Sequence, residues 1–481
     1  MSGGGARMEI SDVVRVALEA GKRLTADAVA CIEEYSDLID FARLVEEIRR
    51  AGDAFITADV VMRAVRRADA GELRHEVEVV FDAGRLAKPA GGVTEARDYF
   101  RDRLERLGRE ISGAYGISGA ADVASTASRD DEQYVIGMVS GKSIRRDSVV
   151  LEVEDFTGRR PFLVPNEGHL LRLAQRIPLD SVVGLKVKCR RDKPPLVLDI
   201  YLPQLRPGAS APPTDVYAAL TSDLHVGSGS FLEESFERLV DMLRGDVDDE
   251  RMRYIVERTL YMVIAGDIVD GVGIYPRQEE ELAITDPREQ YREAYKLLSK
   301  LPSRVKVIVI PGNHDAVRRA LPRPPIDRDY APEFYSDDRF LMLGDPANVR
   351  LHGVNVFVFH GDSLNDVLST TPGLSPTDVA EAMHVLLQVR HVAPTYGLQT
   401  RIVATPPDAL VIPADANVLQ AGHIHRVDVK RLVDKRAVIV NSGTWQAQTR
   451  YQREMGVEPT PAVVPFLNLR TLHVTLLDLS S

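Results

Sequence analysis

At 481 residues, 44% of them hydrophobic and 27% charged, the chain is expected to form two or three domains of a soluble globular protein. No apolar run approaches the roughly 20 residues that span a bilayer, so a cytoplasmic protein without a membrane segment is expected. The net charge of −11 argues against a protein that binds DNA unaided, and two cysteines are too few for a disulfide framework or a cysteine zinc site.

The first part of the chain is predicted to contain a helical domain and a linker. Residues 8–86 show apolar side chains at helical spacing, such as Leu44 and Ile48, and predict a small helical interaction domain. Residues 87–131 are rich in Gly, Ala and Ser. We interpret them as a linker that contains one amphipathic helix at 99–111.

Residues 132–206 carry short alternating segments bounded by turn residues, which predict an antiparallel barrel of about five strands with the size of an OB-fold. The predicted strands are 134–140, 148–154, 160–164, 184–190 and 196–201, with a helix at 168–175. One strand and its following turn carry a basic run, Lys186, Lys188, Arg190, Arg191 and Lys193. A solvated strand face is the favoured interpretation. The alternative is a groove for a DNA backbone, with Lys186, Lys188 and Arg190 as contacts.

A proline-rich hinge at 207–213 leads into residues 214–481, where short buried strands alternate with helices and predict a layered α/β domain. Five polar motifs follow strand-like runs in this region. They are Asp223-Leu224-His225, Gly266-Asp267, Pro311-Gly312-Asn313-His314-Asp315, His360-Gly361 and Gly422-His423-Ile424-His425. Loops at strand ends of α/β sheets meet in one crevice, so these side chains are expected to lie together.

The side chains of the motifs suit divalent metal ions. Imidazoles with carboxylates favour manganese, zinc, iron or nickel over calcium, and the Asp267 carboxylate is able to bridge two ions. Two ions about 3.5–4 Å apart polarise a phosphate ester and activate water for its hydrolysis. Each Asp-x-His or His-x-His pair would place both side chains on one face of an extended strand. The candidate ligands are Asp223, His225, Asp267, Asn313, His360, His423 and His425.

His314 follows a candidate ligand, but the two ions do not require it as a further ligand. It is placed to donate a proton to a leaving oxygen, and Asp315 beside it is predicted to orient its ring. Each motif alone occurs in ordinary turns, whereas all five in this order leave little room for a purely structural origin. The other histidines have no comparable setting: His75, His169, His352, His384, His391 and His473.

The motif series resembles that of the calcineurin-like metallophosphoesterase superfamily, whose fold is a two-layered β-sandwich flanked by helices. Other segments resemble the small subunits of archaeal family D DNA polymerase. These segments are 265–276, 311–318, 390–394, 441–446 and 459–465. No metal chemistry requires them, which makes them more specific than the metal motifs. The predicted barrel ahead of them fits the domain order of the same family.

The resemblance implies a two-metal 3′→5′ exonuclease that proofreads for a separate, large catalytic polymerase subunit. By the same resemblance, one ion is held by Asp223, His225, Asp267 and His425, and the other by Asp267, Asn313, His360 and His423. Manganese is the expected ion, with iron, zinc, nickel and magnesium as alternatives. The expected DNA partner is a single-stranded or frayed primer 3′ end, and a sliding clamp would be reached through the complex. In the related small subunits of eukaryotic polymerases these ligand positions are degraded, whereas none is missing here.

Two further features have two interpretations each. Arg318, Arg319 and Arg323 follow the Gly-Asn-His-Asp turn and either contact a phosphate backbone or lie on a solvated helix face. Trp445, the single tryptophan, is expected to pack in the core or against another subunit, with base stacking as the alternative.

Three other functions fit the metal motifs. A free-standing repair nuclease would be expected to carry a DNA-capping domain after His425, where this sequence predicts closing strands. A small-molecule phosphatase or cyclic-nucleotide phosphodiesterase would need neither the barrel nor the helical domain. A non-catalytic scaffold subunit with a relic site is the third, and the complete ligand set argues against it.

Overall fold

The computed structural model describes residues 9–65, 73–87, 91–145, 147–166, 168–206, 208, 211–454 and 458–480. The sequence predictions made for the other residues lie outside this description. They concern residue 8 and residues 66–72 of the helical domain, 88–90 of the linker, 146 and 167 of the barrel, 207, 209 and 210 of the hinge, and 455–457 and 481 of the predicted α/β domain.

The helices of the described residues are α1 (Ile10–Glu19), α2 (Ala26–Tyr35), α3 (Phe41–Arg50), α4 (Ala58–Met62), α5 (Val93–Tyr115), α6 (Gly168–Arg176), α7 (Glu233–Arg244), α8 (Glu250–Glu257), α9 (Pro287–Ser299), α10 (Pro332–Ser336), α11 (Ser363–Thr370), α12 (Val379–Val389) and α13 (Arg450–Glu454). None of these helices is both long enough and apolar enough to cross a membrane.

The strands are β1 (Arg23–Leu24), β2 (Phe55–Ile56), β3 (Val77–Asp82), β4 (Glu132–Arg145), β5 (Ser148–Asp155), β6 (Gly158–Pro165), β7 (Val182–Lys188), β8 (Leu196–Tyr201), β9 (Tyr217–Thr221), β10 (Thr259–Ala265), β11 (Lys306–Ile310), β12 (Phe340–Met342), β13 (Ala347–Leu351), β14 (Val354–Val358), β15 (Val418–Ala421), β16 (Val427–Leu432), β17 (Ala437–Ser442), β18 (Val463–Asn468) and β19 (Val474–Asp478).

Two six-stranded sheets pack face to face and form a sandwich. The strand order is β12-β11-β10-β9-β18-β19 in the first sheet and β16-β17-β15-β14-β13-β3 in the second. Apolar side chains of both sheets, among them Leu220, Val263, Val356 and Val418, form one core between them. Helices α7, α8 and α9 cover the outer face of the first sheet, and α11 and α12 cover that of the second. The predicted α/β multi-domain class is therefore confirmed.

The N-terminal helices α1–α4 and the parallel pair β1–β2 form a helical module against the first sheet. Helix α2 begins after Thr25, whose hydroxyl accepts a hydrogen bond from the Ala28 amide. Buried side chains of the module, such as Leu44, belong to the same core as the helices that cover the first sheet. At this contact the hydroxyl oxygens of Tyr35 and Tyr217 lie 2.6 Å apart. The module is thus packed onto the sandwich.

Strand β3 is an edge strand of the second sheet and pairs antiparallel with β13. The prediction placed these residues in a helical domain of residues 8–86, and the structure differs from it here. Half-buried and exposed side chains alternate along most of β3, as expected for a strand. Its partner strand follows far along the chain, so no local pattern indicates the pairing.

The predicted five-stranded barrel is confirmed. Strands β4 to β8 close in the order β4-β5-β6-β8-β7, and α6 lies between β6 and β7. Val135, Leu151, Phe162 and Leu185 fill its interior. The strand order and the helix position are compatible with an OB-fold, and that assignment stays a prediction.

Helix α5 is longer than the helix at 99–111 that was predicted within a linker of residues 87–131. It runs for 23 residues and packs on the barrel through Leu107 and Ile111, which share a small apolar cluster with barrel side chains. Small and polar residues around the helix suggested a linker, but the buried face of α5 makes this segment a packed element of the fold.

Arg103 of α5 connects the barrel to the loops that follow α12 of the sandwich. Its side chain is fully buried, and its guanidinium donates to the Asp408 carboxylate at 2.7 Å and to the carbonyls of Pro394 and Asp180 at 2.7 and 3.0 Å. The Nε2 atom of His391 lies 2.8 Å from the same Asp408 oxygen, while its Nδ1 accepts from the Ala393 amide. His391 therefore donates to Asp408 as a neutral imidazole.

The stability of this cluster is expected to depend on pH. Burial and the nearby Arg103 lower the pKa of His391 from 6.5 to about 4. Between these values the unfolded chain binds one more proton than the folded chain, so the free energy of unfolding should fall as the pH drops from about 6.5 to about 4. His391→Gln keeps a donor for Asp408 but removes the titrating group. We expect a smaller fall for this variant in urea unfolding at several pH values; parallel pH curves would contradict the prediction.

Candidate metal centre

Seven side chains converge where strands of both sheets end. Asp223 and His225 follow β9, Asp267 follows β10, Asn313 follows β11, His360 follows β14, and His423 and His425 follow β15. Five of them have left-handed backbone, with φ between 52° and 68°: Asp223, His225, Asp267, His423 and His425. The paired side chains converge through this strained backbone, which corrects the prediction of an extended strand face. Such strain in residues other than glycine persists only where surrounding contacts hold it, and it is common at functional sites.

Two glycines allow the turns to approach one another closely. A Cβ atom on Gly312 would lie 2.1 Å from Oδ1 of Asp267, and one on Gly422 would lie 2.4 Å from Oδ2 of Asp223. Any larger residue at either position would displace a candidate ligand.

The first group of candidate ligands consists of Asp223, His225, His425 and Asp267. The Nε2 atoms of His225 and His425 are 3.1 Å apart, and Oδ1 of Asp223 lies 3.3 Å from His425 Nε2 and 3.8 Å from His225 Nε2. Oδ2 of Asp267 lies 3.9 Å from His225 Nε2. All four side chains are buried.

The second group consists of Asp267, Asn313, His360 and His423. The Asn313 side-chain oxygen lies 2.9 Å from His360 Nε2 and 2.8 Å from His423 Nδ1, and these two nitrogens are 3.2 Å apart. Oδ2 of Asp267, which also faces His225, lies 3.3 Å from His360 Nε2. The structure thus brings together all seven predicted residues, in two groups that share Asp267. The assignment of these ligands to two separate ions remains a prediction, because ligand atoms of Asp223, Asp267 and His360 also lie within 4.8 Å of one another.

The donor set is suited to hold a divalent metal ion. Ligand atoms bound to one ion at about 2.0–2.2 Å lie roughly 3–3.5 Å from one another, and most distances within the two groups fall near this range. Oδ1 of Asp223 is buried and accepts no hydrogen bond from the described residues. A buried carboxylate oxygen without a donor is costly unless a cation faces it.

Contacts behind the first group fix its imidazoles. His225 Nδ1 lies 2.9 Å from Oδ1 of Asp270. Asp270 in turn accepts hydrogen bonds from the side-chain amides of Gln278 and Gln446, at 2.9 and 3.1 Å. The amide nitrogen of Gln452 lies 2.8 Å from His425 Nδ1. Partners of this kind hold the ring orientation and the tautomer of a metal ligand.

The second group has its own supports. His360 Nδ1 lies 2.8 Å from the Ala265 carbonyl, so Nε2 is the nitrogen directed at Asn313. His423 faces Asn313 through Nδ1, while its Nε2 lies 2.9 Å from the Asn365 amide nitrogen. Each of the four candidate histidine ligands therefore has a polar partner on the ring nitrogen that points away from the centre. His225, His360 and His425 face the centre through Nε2, and His423 faces it through Nδ1.

His314 lies at the rim, partly exposed, beside the first group. Its ring nitrogen Nδ1 lies 2.8 Å from the Asp270 carbonyl, and its backbone amide donates to Oδ1 of Asp267 at 2.8 Å. Its ring packs edge-on against His225 with centroids 4.6 Å apart. A ligand atom of His314 lies within 4.8 Å of those of His225 and Asp267.

Asp315 does not orient the His314 ring, which corrects one prediction. Its carboxylate accepts hydrogen bonds from the Gly312 amide at 2.8 Å and from the Tyr291 hydroxyl at 2.9 Å. It therefore holds the turn that carries Asn313 and His314. The group that fixes the His314 ring is the Asp270 carbonyl, a backbone atom that no sequence motif marks.

The charged groups shift one another strongly. Burial opposes ionisation of His225, but the hydrogen bond that its ring donates to Asp270 and the nearby carboxylates raise its pKa to about 9. Burial likewise disfavours the charged form of Asp267, yet the surrounding histidines hold its pKa well below the usual value. Burial lowers the pKa of His423 to about 4 and also lowers that of His314. Burial and the Asp267 charge raise the pKa of Asp315 to about 6.

The predicted DNA contacts have different surroundings. Arg319 is exposed and donates to the Ile274 carbonyl, and Arg318 is half-buried and donates to Pro322. Arg323 is fully buried, which excludes it as a DNA contact. The segment after the Gly-Asn-His-Asp turn is irregular, so the predicted helix face is wrong. Trp445 packs in the core, 4.8 Å from Phe236 between ring centroids, as the favoured interpretation held.

The basic run of the barrel lies on and after β7. Lys186 lies 3.2 Å from the Glu132 carboxylate, and Arg190 donates to the Pro194 carbonyl at 3.0 Å. Lys188, Arg191 and Lys193 are exposed.

Comparison with known proteins identifies the family. Residues 218–464, from β9 to β18, match the model of the family formed by the B subunits of DNA polymerases alpha and epsilon. The DNA polymerase II small subunit of Methanothermobacter thermautotrophicus is 35% identical over 395 residues, which cover 82% of this chain and 81% of that protein. The chain belongs to this family. Its predicted resemblance to the small subunits of archaeal DNA polymerase is confirmed.

Other members of the family are longer. The DNA polymerase II small subunit of Pyrococcus furiosus is 34% identical over 85% of this chain and 69% of its own length. That of Pyrococcus abyssi is 36% identical over 79% of this chain and 62% of its own length. Among solved structures, wild-type Vps29 of Entamoeba histolytica complexed with zinc overlaps 54% of this chain and 90% of its own, at 12% identity and a TM-score of 0.25. This score is too low for the likeness to bear on the site.

The segments that resemble the family gain a physical explanation from the structure. In 441–446, Thr444 and Trp445 donate to the Asp223 carbonyl, each at 2.9 Å, and Gln446 reaches Asp270. In 390–394, the Pro394 carbonyl accepts from Arg103. The sequence pattern assigns no role to these segments. It also does not mark Gln278, Gln452 or Asn365, whose contacts with the centre appear only in the folded chain.

Proposed function

We propose that the chain is a two-metal-dependent 3′→5′ exonuclease that hydrolyses DNA phosphodiesters as the proofreading small subunit of a family D DNA polymerase. One observation carries the proposal: Oδ2 of the buried Asp267 faces both groups of candidate ligands, and none of the seven side chains is missing. Paired sites bridged by one carboxylate suit phosphodiester hydrolysis. The calcineurin-like fold and the OB-fold assignment of the barrel belong to the same proposal.

The residues of the chain have separate tasks in this proposal. The seven ligands would hold two divalent cations, with manganese as the first expectation and iron, zinc, nickel or magnesium as alternatives. Such ions would supply polarisation of the phosphate and activation of water. His314, in the form that carries a proton on both ring nitrogens, donates its Nε2 proton to the leaving 3′ oxygen. Its Nδ1 atom is fixed by the Asp270 carbonyl, which leaves Nε2 for the substrate. Asp315 supports this chemistry by holding the turn that carries His314.

The proposed partners are a large catalytic polymerase subunit and the frayed 3′ end of a primer, with a sliding clamp reached through the complex in the cytoplasm. The small-subunit names of the relatives support the first. The net charge of −11 fits a protein that shares its DNA contacts with a partner. Within this chain, the proposed contacts to the DNA backbone are Arg319 and the basic side chains Lys186, Lys188 and Arg190, of which Lys188 is exposed and the other two are half-buried.

A primer carrying a mismatched 3′ nucleotide tests the proposal. The purified complex with its large subunit, supplied with Mn²⁺, should shorten a 5′-labelled mismatched primer one nucleotide at a time, faster than a matched primer. Chelation should stop the reaction. A complex that binds the metal yet leaves the primer intact would show a scaffold role, and shortening from the 5′ end would overturn the polarity.

A further inference from the structure

Arg323 is a buried cation beside the second group of candidate ligands. Its side chain is fully buried. Its Nη1 atom donates to Asp345 at 2.6 Å and to Asp362 at 2.9 Å, and its Nη2 atom donates to the other Asp362 oxygen at 2.5 Å. A fork that grips a carboxylate with two nitrogens fixes direction as well as distance.

The two carboxylates that Arg323 holds are connected to His360. Oδ1 of Asp345 accepts a hydrogen bond from the His360 backbone amide at 3.1 Å. Asp362 lies two residues after His360, in the turn that leads into α11. The guanidinium is therefore connected to the His360 backbone through the Asp345 carboxylate, and it also holds Asp362, two residues further along the same turn.

Arg323 also belongs to the connection that carries Asn313. The chain runs from β11 through the Gly312–Asp315 turn to Arg323, and there the backbones of Arg323 and Asp345 pair through hydrogen bonds of 2.8 and 3.1 Å. One side chain thus joins the segment of Asn313 to the segment of His360. These two ligand atoms, 2.9 Å apart, must keep their spacing to hold one ion.

The first group does not use this support. Its imidazoles are held by Asp270 and Gln452, which contact neither Arg323 nor its two carboxylates in the described part of the chain. The imidazoles of the two groups therefore have separate supports, while Asp223 of the first group accepts a hydrogen bond from the His423 backbone amide at 2.9 Å.

We propose that Arg323 is a positioning residue for the cation held by the second group and that it sets the spacing of Asn313 and His360. The inference rests on the proposed two-metal function and assigns a determinant to one of its two sites. Loss of a partner that orients a metal ligand typically weakens metal binding by about 10–100-fold. The larger loss is expected at the second ion because His360 is connected to this side chain through Asp345, whereas His225 and His425 are held by other groups.

The test measures Mn²⁺ binding by the purified full chain, with calorimetry for the affinity and number of sites and electron paramagnetic resonance for the state of the bound ions. The wild type should bind two ions and give the signal of a spin-coupled pair. Arg323→Leu should weaken one site by about 10–100-fold and leave the other unchanged, so that near-stoichiometric loading gives the signal of isolated Mn²⁺. Arg323→Lys, which keeps the charge but loses the fork, should recover part of the affinity.

Arg103→Leu is the matched control because Arg103 is equally buried and paired with Asp408 away from the centre. It should lower stability and leave both Mn²⁺ sites unchanged. Two intact sites in Arg323→Leu, or equal weakening of both sites in either variant, would overturn the inference. If Arg323→Leu does not fold, Asp362→Asn, which leaves the bond to Asp345, should still weaken one site selectively.

The outcomes separate this inference from the proposed function. A wild-type chain that binds two ions but does not shorten DNA would count against the exonuclease and not against the role of Arg323. A wild-type chain that binds fewer than two ions would count against both.

Discussion

Asp267→Asn is expected to remove exonuclease activity almost completely. The carboxylate oxygen that faces both groups, 3.9 Å from His225 Nε2 and 3.3 Å from His360 Nε2, becomes a neutral amide atom. The amide oxygen is still able to accept from the His314 backbone, which now donates to Oδ1 at 2.8 Å. The loss of one shared negative ligand should therefore affect both cations and leave the fold in place. The loss of several kcal/mol of transition-state stabilisation corresponds to a fall in kcat of at least about 10³-fold.

Primer shortening and Mn²⁺ stoichiometry measure this effect in the same preparation. Asp215→Asn is a matched control because Asp215 is also buried and lies at the other end of β9, where it accepts from Tyr254 and Arg470. This control should lose stability but keep both ions and the activity. A variant at Asp267 that keeps two ions and normal turnover would show that the carboxylate does not bridge.

His314→Ala is expected to lower kcat on DNA by about 10²–10⁴-fold while Mn²⁺ binding is retained. The effect should depend on the leaving group. A DNA 3′ alkoxide leaves poorly without a proton, whereas p-nitrophenolate leaves readily without one. Hydrolysis of bis(p-nitrophenyl) phosphate should therefore fall far less than primer shortening.

His384→Ala, which removes a half-buried histidine on α12, is the control for the loss of an imidazole elsewhere. It should leave both reactions unchanged. Equal losses on the two substrates in His314→Ala would instead assign His314 to phosphate positioning, and no loss on DNA would remove it from the mechanism.

The seven candidate ligands were predictable because each lies directly after a strand-like run in a short motif. Their backbone geometry was not. The left-handed φ values at Asp223 and His425 occur with hydrogen bonds from distant residues: the Asp223 carbonyl accepts from Thr444 and Trp445, and the His425 carbonyl accepts from the Thr460 amide at 2.7 Å. Contacts between residues so far apart in the sequence leave no local pattern.

Buried charge was the weakest part of the sequence prediction. Arg318, Arg319 and Arg323 lie close together in the sequence and look alike, yet only Arg323 is fully buried. Its partners, Asp345 and Asp362, come from other turns, so the ion pairs become visible only once the sheets are assembled. The same limit explains why Asp315, adjacent to His314 in sequence, was assigned to the wrong contact.

Local patterns predicted the barrel well because each of its strands pairs with sequence neighbours or near neighbours. Strands β5 and β8 begin at the predicted residues 148 and 196. Strand β3 and helix α5 were missed or underestimated because their partners, β13 and the segment around Asp408, lie in the second half of the chain.

The barrel is an insertion within the sandwich. The chain leaves the second sheet after β3, builds α5 and the barrel, and returns to the first sheet at β9. On the way back, the Arg206 amide donates to the Ala414 carbonyl at 2.7 Å, and the Tyr115 hydroxyl donates to the Leu202 carbonyl at 3.2 Å. A domain on a single tether pivots about it, whereas two tethers remove that pivot. A chain break within the barrel would also place β3 and β13 on two separate fragments, which would then have to associate. The sandwich therefore depends on an unbroken chain through the barrel, although the barrel contributes no strand to either sheet.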